Sequence, residues 1–332
     1  MILQTPILAL LLASALASAV ALWAAWFGIR LLRHWDLASG SQTQLDLERR
    51  TELVSTLFGF VMLVEITALF LLVFNADRMA ALFVGAMCAV GTFNVNGWGF
   101  PALYLKITLF FAAALWLILD RVDRLGRDFP LTRLKFAAIL GIAPLVLAGF
   151  ATELAYFLNM KTDVITSCCS KLFTPSNEGL AAEMTGLPPA RALWLLAAAG
   201  GAVLVSGAAI LLRKRGETLF AIAGAVFFFA ALTAIVSVIS LYVYDHPNHH
   251  CPFCLLKREY GYFGYALYVP LFAGTALALA TGLLKTVANS DSLAGVQPKA
   301  IRHLTRLSLA GFALFGIAVL RSITTSQLIL FG

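Results

Sequence analysis

The stretch "HPNHHCPFCLLKRE", residues 246–259, gathers His246, His249, His250, Cys251 and Cys254 within nine positions. The chain has only five histidines and five cysteines in all. A second cysteine pair, Cys168 and Cys169, stands in "SCCS". A Cys-X-X-Cys pair is short enough to close a reversible disulfide. Its thiolate is the reactive form, favoured by a nearby helix N-terminus or cation. Lys257 and Arg258 follow Cys254 within one turn. Neighbouring cysteines form a disulfide only with strain, so Cys168 and Cys169 are expected to pair elsewhere, exchange with Cys251 and Cys254, or hold a soft metal together.

The same residues allow metal chemistry. Imidazole and thiolate suit zinc, copper or iron, and paired thiolates favour Cu(I). Cys251, Cys254 and two of His246, His249 and His250 would complete a tetrahedral copper or zinc site. Met160 is a further soft donor beside the first loop. The order His-Cys-X-X-Cys is not that of covalent haem attachment. A polar interfacial loop with no chemistry is the third reading.

The elements that must position these residues are membrane helices. The chain of 332 residues is 61% hydrophobic and 12% charged, with a mean hydropathy of +0.88. Soluble domains carry about 25% charged residues. Apolar runs exceed the ~20 residues that a helix needs to cross a bilayer. The expected fold is an all-α polytopic integral membrane protein, because a spanning segment must satisfy its own backbone hydrogen bonds. About nine transmembrane helices are expected, in a single domain over 1–332: residues 6–29, 53–76, 79–98, 101–120, 136–157, 191–212, 218–244, 262–284 and 305–327. In the third, Gly91, Gly97, Gly99 and Pro101 loosen the helix, and Asn94 and Asn96 cap it or line an outer pocket. Cys88, inside that span, reads as a small buried apolar residue.

The net charge of +7 does not indicate nucleic acid, since the basic residues cluster at helix ends as a topology signal. Placing the clusters around 121–135, 213–215 and 285–306 inside puts the N-terminus inside. Loops 158–190 and 245–261 then lie on the outer, periplasmic side of a bacterial inner membrane. Arg30, Arg33, Arg49 and Arg50 count against this scheme. No Lys or Arg precedes the first apolar run, so that run reads as a retained helix. The outer side is oxidising, and thiols there are paired, metal-bound or cycling.

"CPFCLLKR" resembles the quinone-linked disulfide-generating membrane oxidoreductases of the DsbB and vitamin K epoxide reductase types. Cys251, Cys254 and Arg258 match the DsbB-type Cys-X-X-Cys and the Arg near its quinone. Cys168 and Cys169, a loop pair that precedes it, follow the vitamin K epoxide reductase order. The resemblance implies thiol–disulfide exchange: an external thiol protein reduces the loop pair, the electrons reach Cys251 and Cys254, and a quinone takes them up beside Arg258. Tyr260 and Tyr262, with Phe263, Tyr265 and Tyr268, would wall the quinone pocket, or they belong to the aromatic belt of any membrane boundary.

Four ionisable residues fall inside spans: Glu65, Lys106, Glu153 and Arg321. Such groups face the protein interior or a cavity. Depths counted along 1.5 Å per residue set Glu65 and Lys106 apart, which speaks against their pairing. A proton role for Glu65 is the functional alternative. Three functions stay open: a thiol–disulfide oxidoreductase coupled to quinone, a soft-metal handling protein served by a metal carrier, and a non-catalytic subunit of a larger membrane complex.

Overall fold

The computed structural model describes residues 4–36, 39, 41–126, 128–161, 164, 166, 187–287, 291–328 and 330. Among them there are helices, short turns and loops and no strand. The long helices are α1 (Thr5–His34), α2 (Gln42–Met79), α4 (Gly99–Asp123), α5 (Thr132–Leu158), α6 (Pro189–Arg213), α7 (Glu217–Ala234), α9 (Phe263–Val287) and α10 (Gln297–Thr325). Two five-residue helices complete the set, α3 (Ala89–Phe93) and α8 (Ser240–Tyr244). A π-helical turn, Ile235–Ile239, joins α7 to α8 into one continuous rod.

Eight helices among the described residues are long and apolar enough to cross a membrane. Their outward faces carry large apolar side chains, such as Trp194, Leu212 and Phe229. Contiguous apolar surface of this extent suits lipid rather than water.

The expected span over 79–98 is not among the eight. After a 3-10 turn at Ala80–Leu82 the chain bends and makes only the short α3. The backbone itself requires this. Gly85 has φ +87°, and a Cβ there would stand 2.2 Å from the carbonyl oxygen of Thr166. The Thr166 amide in turn donates to the Val84 carbonyl at 3.0 Å. A continuous helix has no room for that bond. Asn96 accepts from the amide of Trp98, the N-cap of α4, and donates to the Tyr156 carbonyl, so it caps and ties rather than lining a pocket.

The chain divides into two compact units. The first comprises Met1–Ala76, Phe93–Thr162 and Asn289–Val296. In it α1 and α4 pack on α5, around Phe27, Phe58, Trp116 and Phe136. Asp120 and Asp123 at the end of α4 hold Lys135 of α5 at 3.0 and 2.8 Å.

The second unit comprises Asp77–Thr92, Asp163–Ala288 and Gln297–Gly332. Here α9 packs on α7 and α10, and α6 packs on α7. Small residues let the backbones approach, as expected where lipid supplies no hydrophobic drive between helices. A Cβ on Gly224 of α7 would stand 2.6 Å from the Ala278 side chain of α9, and one on Gly282 equally close to Ala221. Ser308 of α10 donates to the Gly274 carbonyl of α9 at 2.7 Å.

Candidate functional site

Cys88, Cys251 and Cys254 converge in the second unit. Their sulfurs all lie within 4.8 Å of one another. Cys88 Sγ stands 3.5 Å from Cys251 Sγ, well beyond the ~2.05 Å of a disulfide bond and close enough for sulfur contact. Relative exposure is 0% for Cys88 and Cys251 and 5% for Cys254. Cys88 is the small buried residue expected, and its thiol also completes the cluster. Its place is set by the bend at Gly85, beyond the end of α2 and its 3-10 turn, which turns "AMC" back toward the second unit's loop. Cys88 itself precedes α3, its carbonyl taking the first helical bond from the Thr92 amide. Asp77, at the end of α2, receives the Ala89 amide and caps the short helix.

Two tyrosines, one from each flanking helix, fix the start of the Cys-Pro-Phe-Cys loop. The Tyr244 hydroxyl donates to the Cys251 carbonyl, and the Tyr268 hydroxyl to the Pro252 carbonyl at 2.8 Å. A 3-10 turn, Cys254–Leu256, follows, and it sits directly on the start of α9. A Cβ on Gly264 would come within 3.0 Å of Leu255 and Leu256. The spanning helix begins only at Phe263, so Cys254 opens a three-residue turn and not a long helix. The nearby charges are Lys257 and Asp77, which lie in electrostatic reach of each other, with Cys254 beside Asp77. Asp77 Oδ1 is buried and has no hydrogen-bond partner.

The three histidines turn elsewhere. His250 Nδ1 lies 3.0 Å from the Val236 carbonyl. An acceptor there fixes Nδ1 as the protonated nitrogen. The carbonyl belongs to the π-helical turn and also accepts from Ser240. His249 stacks on Tyr244 at 4.0 Å between ring centroids. His246 is exposed, and its Nδ1 accepts from the Asn248 amide. Among the described residues, the group with metal-ligand spacing is the three cysteines, with no histidine in it.

Tyr260 is half-buried, with its ring edge-on to Tyr244 at 4.5 Å. Burial, and secondly the neighbouring Cys254, push its hydroxyl above the usual phenol range, so it remains a proton donor at neutral pH. Tyr262 and Arg258 are exposed. Met160 is buried in the other unit. Cys168 and Cys169 lie outside the described residues.

Sequence reasoning missed Cys88 and Tyr244. Spacing gives no signal for Cys88, 163 residues from its neighbour. One clue was available: a cysteine in a glycine-rich "span" that is a poor helix former. The chain matches no protein-family model, and it has no significant match among curated proteins or solved structures.

Proposed function

We propose that this chain is a membrane thiol–disulfide redox protein whose reactive group is the trio Cys88, Cys251 and Cys254. The observation that carries the reading is the 3.5 Å approach of Cys88 Sγ to Cys251 Sγ, with Cys254 in the same cluster. Three sulfurs in mutual reach allow a disulfide to move among them. Exchange requires a thiolate to approach a disulfide sulfur directly.

The step balances as follows. Cys251 and Cys254 share a disulfide in the oxidised form. A thiolate of a donor dithiol attacks one of these sulfurs and displaces the other cysteine. The donor's second thiol then breaks the mixed disulfide, and the donor leaves as a disulfide. Two electrons and two protons have passed to Cys251 and Cys254. A quinone, the acceptor implied by the DsbB-type resemblance, takes both and becomes a quinol, which restores the disulfide. Cys88 displaces Cys254 from Cys251 without net redox change and so moves the disulfide to the third sulfur. Because the trio is buried, an external thiol protein reaches it through an intermediate pair, the role given to Cys168 and Cys169.

Taking each of the eight apolar helices among the described residues as one crossing, alternation assigns residues 83–98 and 245–262 to one face. The basic stretches 30–50, 121–135, 213–215 and 285–306 fall on the other. The positive-inside rule then makes the cysteine face the outer one and sets the first helix to start outside. Arg30, Arg33, Arg49 and Arg50, which oppose a nine-span scheme, agree with this one. An oxidising exterior is the compartment in which such chemistry operates.

A second reading has its own support. Three thiols within 4.8 Å match the soft donor set that favours Cu(I), and zinc would need a fourth ligand. His250 Nδ1 faces the Val236 carbonyl and His249 stacks on Tyr244, and neither belongs to the sulfur group.

Differential alkylation with mass mapping on anaerobically purified full-length protein tests both. Redox exchange predicts a Cys251–Cys254 or Cys88–Cys251 disulfide that yields to mild reductant, and loss of external dithiol oxidation in Cys251→Ser. Unchanged oxidation in that variant overturns the redox reading. Thiols that become reactive on adding chelator alone transfer the assignment to a soft metal.

A further inference from the structure

In the first unit, four helices each bring one polar side chain to a common point. They are Ser14 of α1, Glu65 of α2, Lys106 of α4 and Glu153 of α5, each 1% exposed or less. The pairing of Glu65 with Lys106, which depth counting disfavours, exists at 3.0 Å. The count assumed that α4 starts at a membrane face, and the non-spanning turn before it removes that boundary. The lysine's flexible four-carbon stem covers the rest.

The hydrogen bonds can be accounted for atom by atom. An ammonium has three donors, and Lys106 Nζ uses them on Glu65 Oε2 at 3.0 Å, Ser14 Oγ at 3.1 Å and Glu153 Oε2 at 3.2 Å. Ser14 passes its own hydrogen to Glu153 Oε2 at 2.9 Å. Each carboxylate thus has one satisfied oxygen. The other oxygens, Glu65 Oε1 and Glu153 Oε1, are buried and have no partner.

The charges do not balance either. Two carboxylates face one ammonium, which leaves one negative charge in an apolar interior, where an uncompensated charge is strongly disfavoured. The same unit shows what a balanced pair looks like. Asp120 and Asp123 face two cations, Lys135 and Arg124, and every oxygen has a partner: Lys135, Arg124, the Leu131 amide and the Thr132 hydroxyl. The inner cluster lacks both the second cation and the last two bonds. Tyr156, one turn along α5 from Glu153, packs its ring on Phe93 and Phe157.

We infer that Glu65 and Glu153, bridged by Lys106, form a binding site for one proton inside the helical unit. A proton on either Oε1 cancels the excess charge and turns an orphan acceptor into a donor. Ser14 and Lys106 hold both carboxyl groups in place whichever of them carries it. This inference is independent of the thiol chemistry, since no sulfur takes part.

The test is infrared spectroscopy of the full chain in lipid, combined with labelling by dicyclohexylcarbodiimide, which attacks protonated carboxyls in apolar surroundings. Wild type is expected to show a protonated-carboxyl C=O band that shifts in D2O, with the label mapped by mass to Glu65 or Glu153 and not to Asp77. Glu153→Gln, which keeps one carboxylate against one ammonium, is expected to lose the band and the label. Lys106→Met is expected to double the band, because both carboxyls must then be neutral. Absence of the band and label from wild type overturns the inference, and that measurement needs no substitution to fold. Protection of the carboxyls by sodium at constant pH also overturns it, assigning the site to a metal cation instead.

Discussion

Cys88 Sγ lies 3.5 Å from Cys251 Sγ, across 163 residues of chain. The contact joins the broken segment after α2 to the loop before α9. It turns a two-cysteine motif into a three-sulfur site, and in the redox function proposed above the odd thiol lets a disulfide shift without an outside partner.

Replacing Cys88 by Ser removes that third position. In oxidised protein, disulfide mapping should find Cys251–Cys254 alone, with the Cys88–Cys251 species gone. Stability should fall by about 1–3 kcal/mol, since a serine hydroxyl then sits where a fully buried thiol was. Thermal unfolding in detergent checks the second point.

The Tyr244 hydroxyl anchors the Cys251 carbonyl. Tyr244→Phe leaves a buried acceptor without its donor, at a cost of ~1–3 kcal/mol. Alkylation of Cys251 should become faster as the loop loosens. Tyr268→Phe acts on the adjacent carbonyl of Pro252. The double variant should therefore depart from additivity, as residues serving one element do.

Gly85→Ala places a methyl group against the Thr166 carbonyl at a backbone angle that alanine adopts only with strain. The expected loss is about 1–3 kcal/mol, concentrated in the segment that carries Cys88. Loss of the Cys88–Cys251 crosslink at unchanged helix content by circular dichroism would show that the damage is local.

Asp123 is fully buried and holds Lys135, the Leu131 amide and the Thr132 hydroxyl. Asp123→Ala breaks a buried pair and uncaps α5. Such losses cost ~3–5 kcal/mol, and the value should fall at the lower end because Lys135 keeps Asp120. Denaturation of wild type and variant in the same detergent measures it.

Much of the helical architecture was legible from apolar run length, because a segment of that length and composition has few other ways to bury its backbone. Asn94, Asn96, Gly91, Gly97, Gly99 and Pro101 marked the segment that departs from the rule among the described residues. Cys251 and Cys254 were legible as a pair, while Cys88 was hidden by its apolar neighbours. The histidines stand apart from the three sulfurs for a physical reason. Side chains adjacent in sequence within a turn point in different directions, and His249 and His250 end on Tyr244 and Val236. Glu65 and Lys106 were seen as costly residues, but their meeting depended on where α4 begins.

The π-helical turn at Ile235–Ile239 acts as a phase setter. It adds backbone that an α-helix of the same rise does not need, and one residue corresponds to about 100° of rotation. Everything beyond it is dialled round by that amount, including the tyrosine whose hydroxyl reaches Cys251. Shortening the turn by a single residue would keep the span apolar and helical, yet swing Tyr244 off the loop and part the Val236 carbonyl from His250. The azimuth of the last turn, rather than any residue's identity, is what that extra backbone preserves.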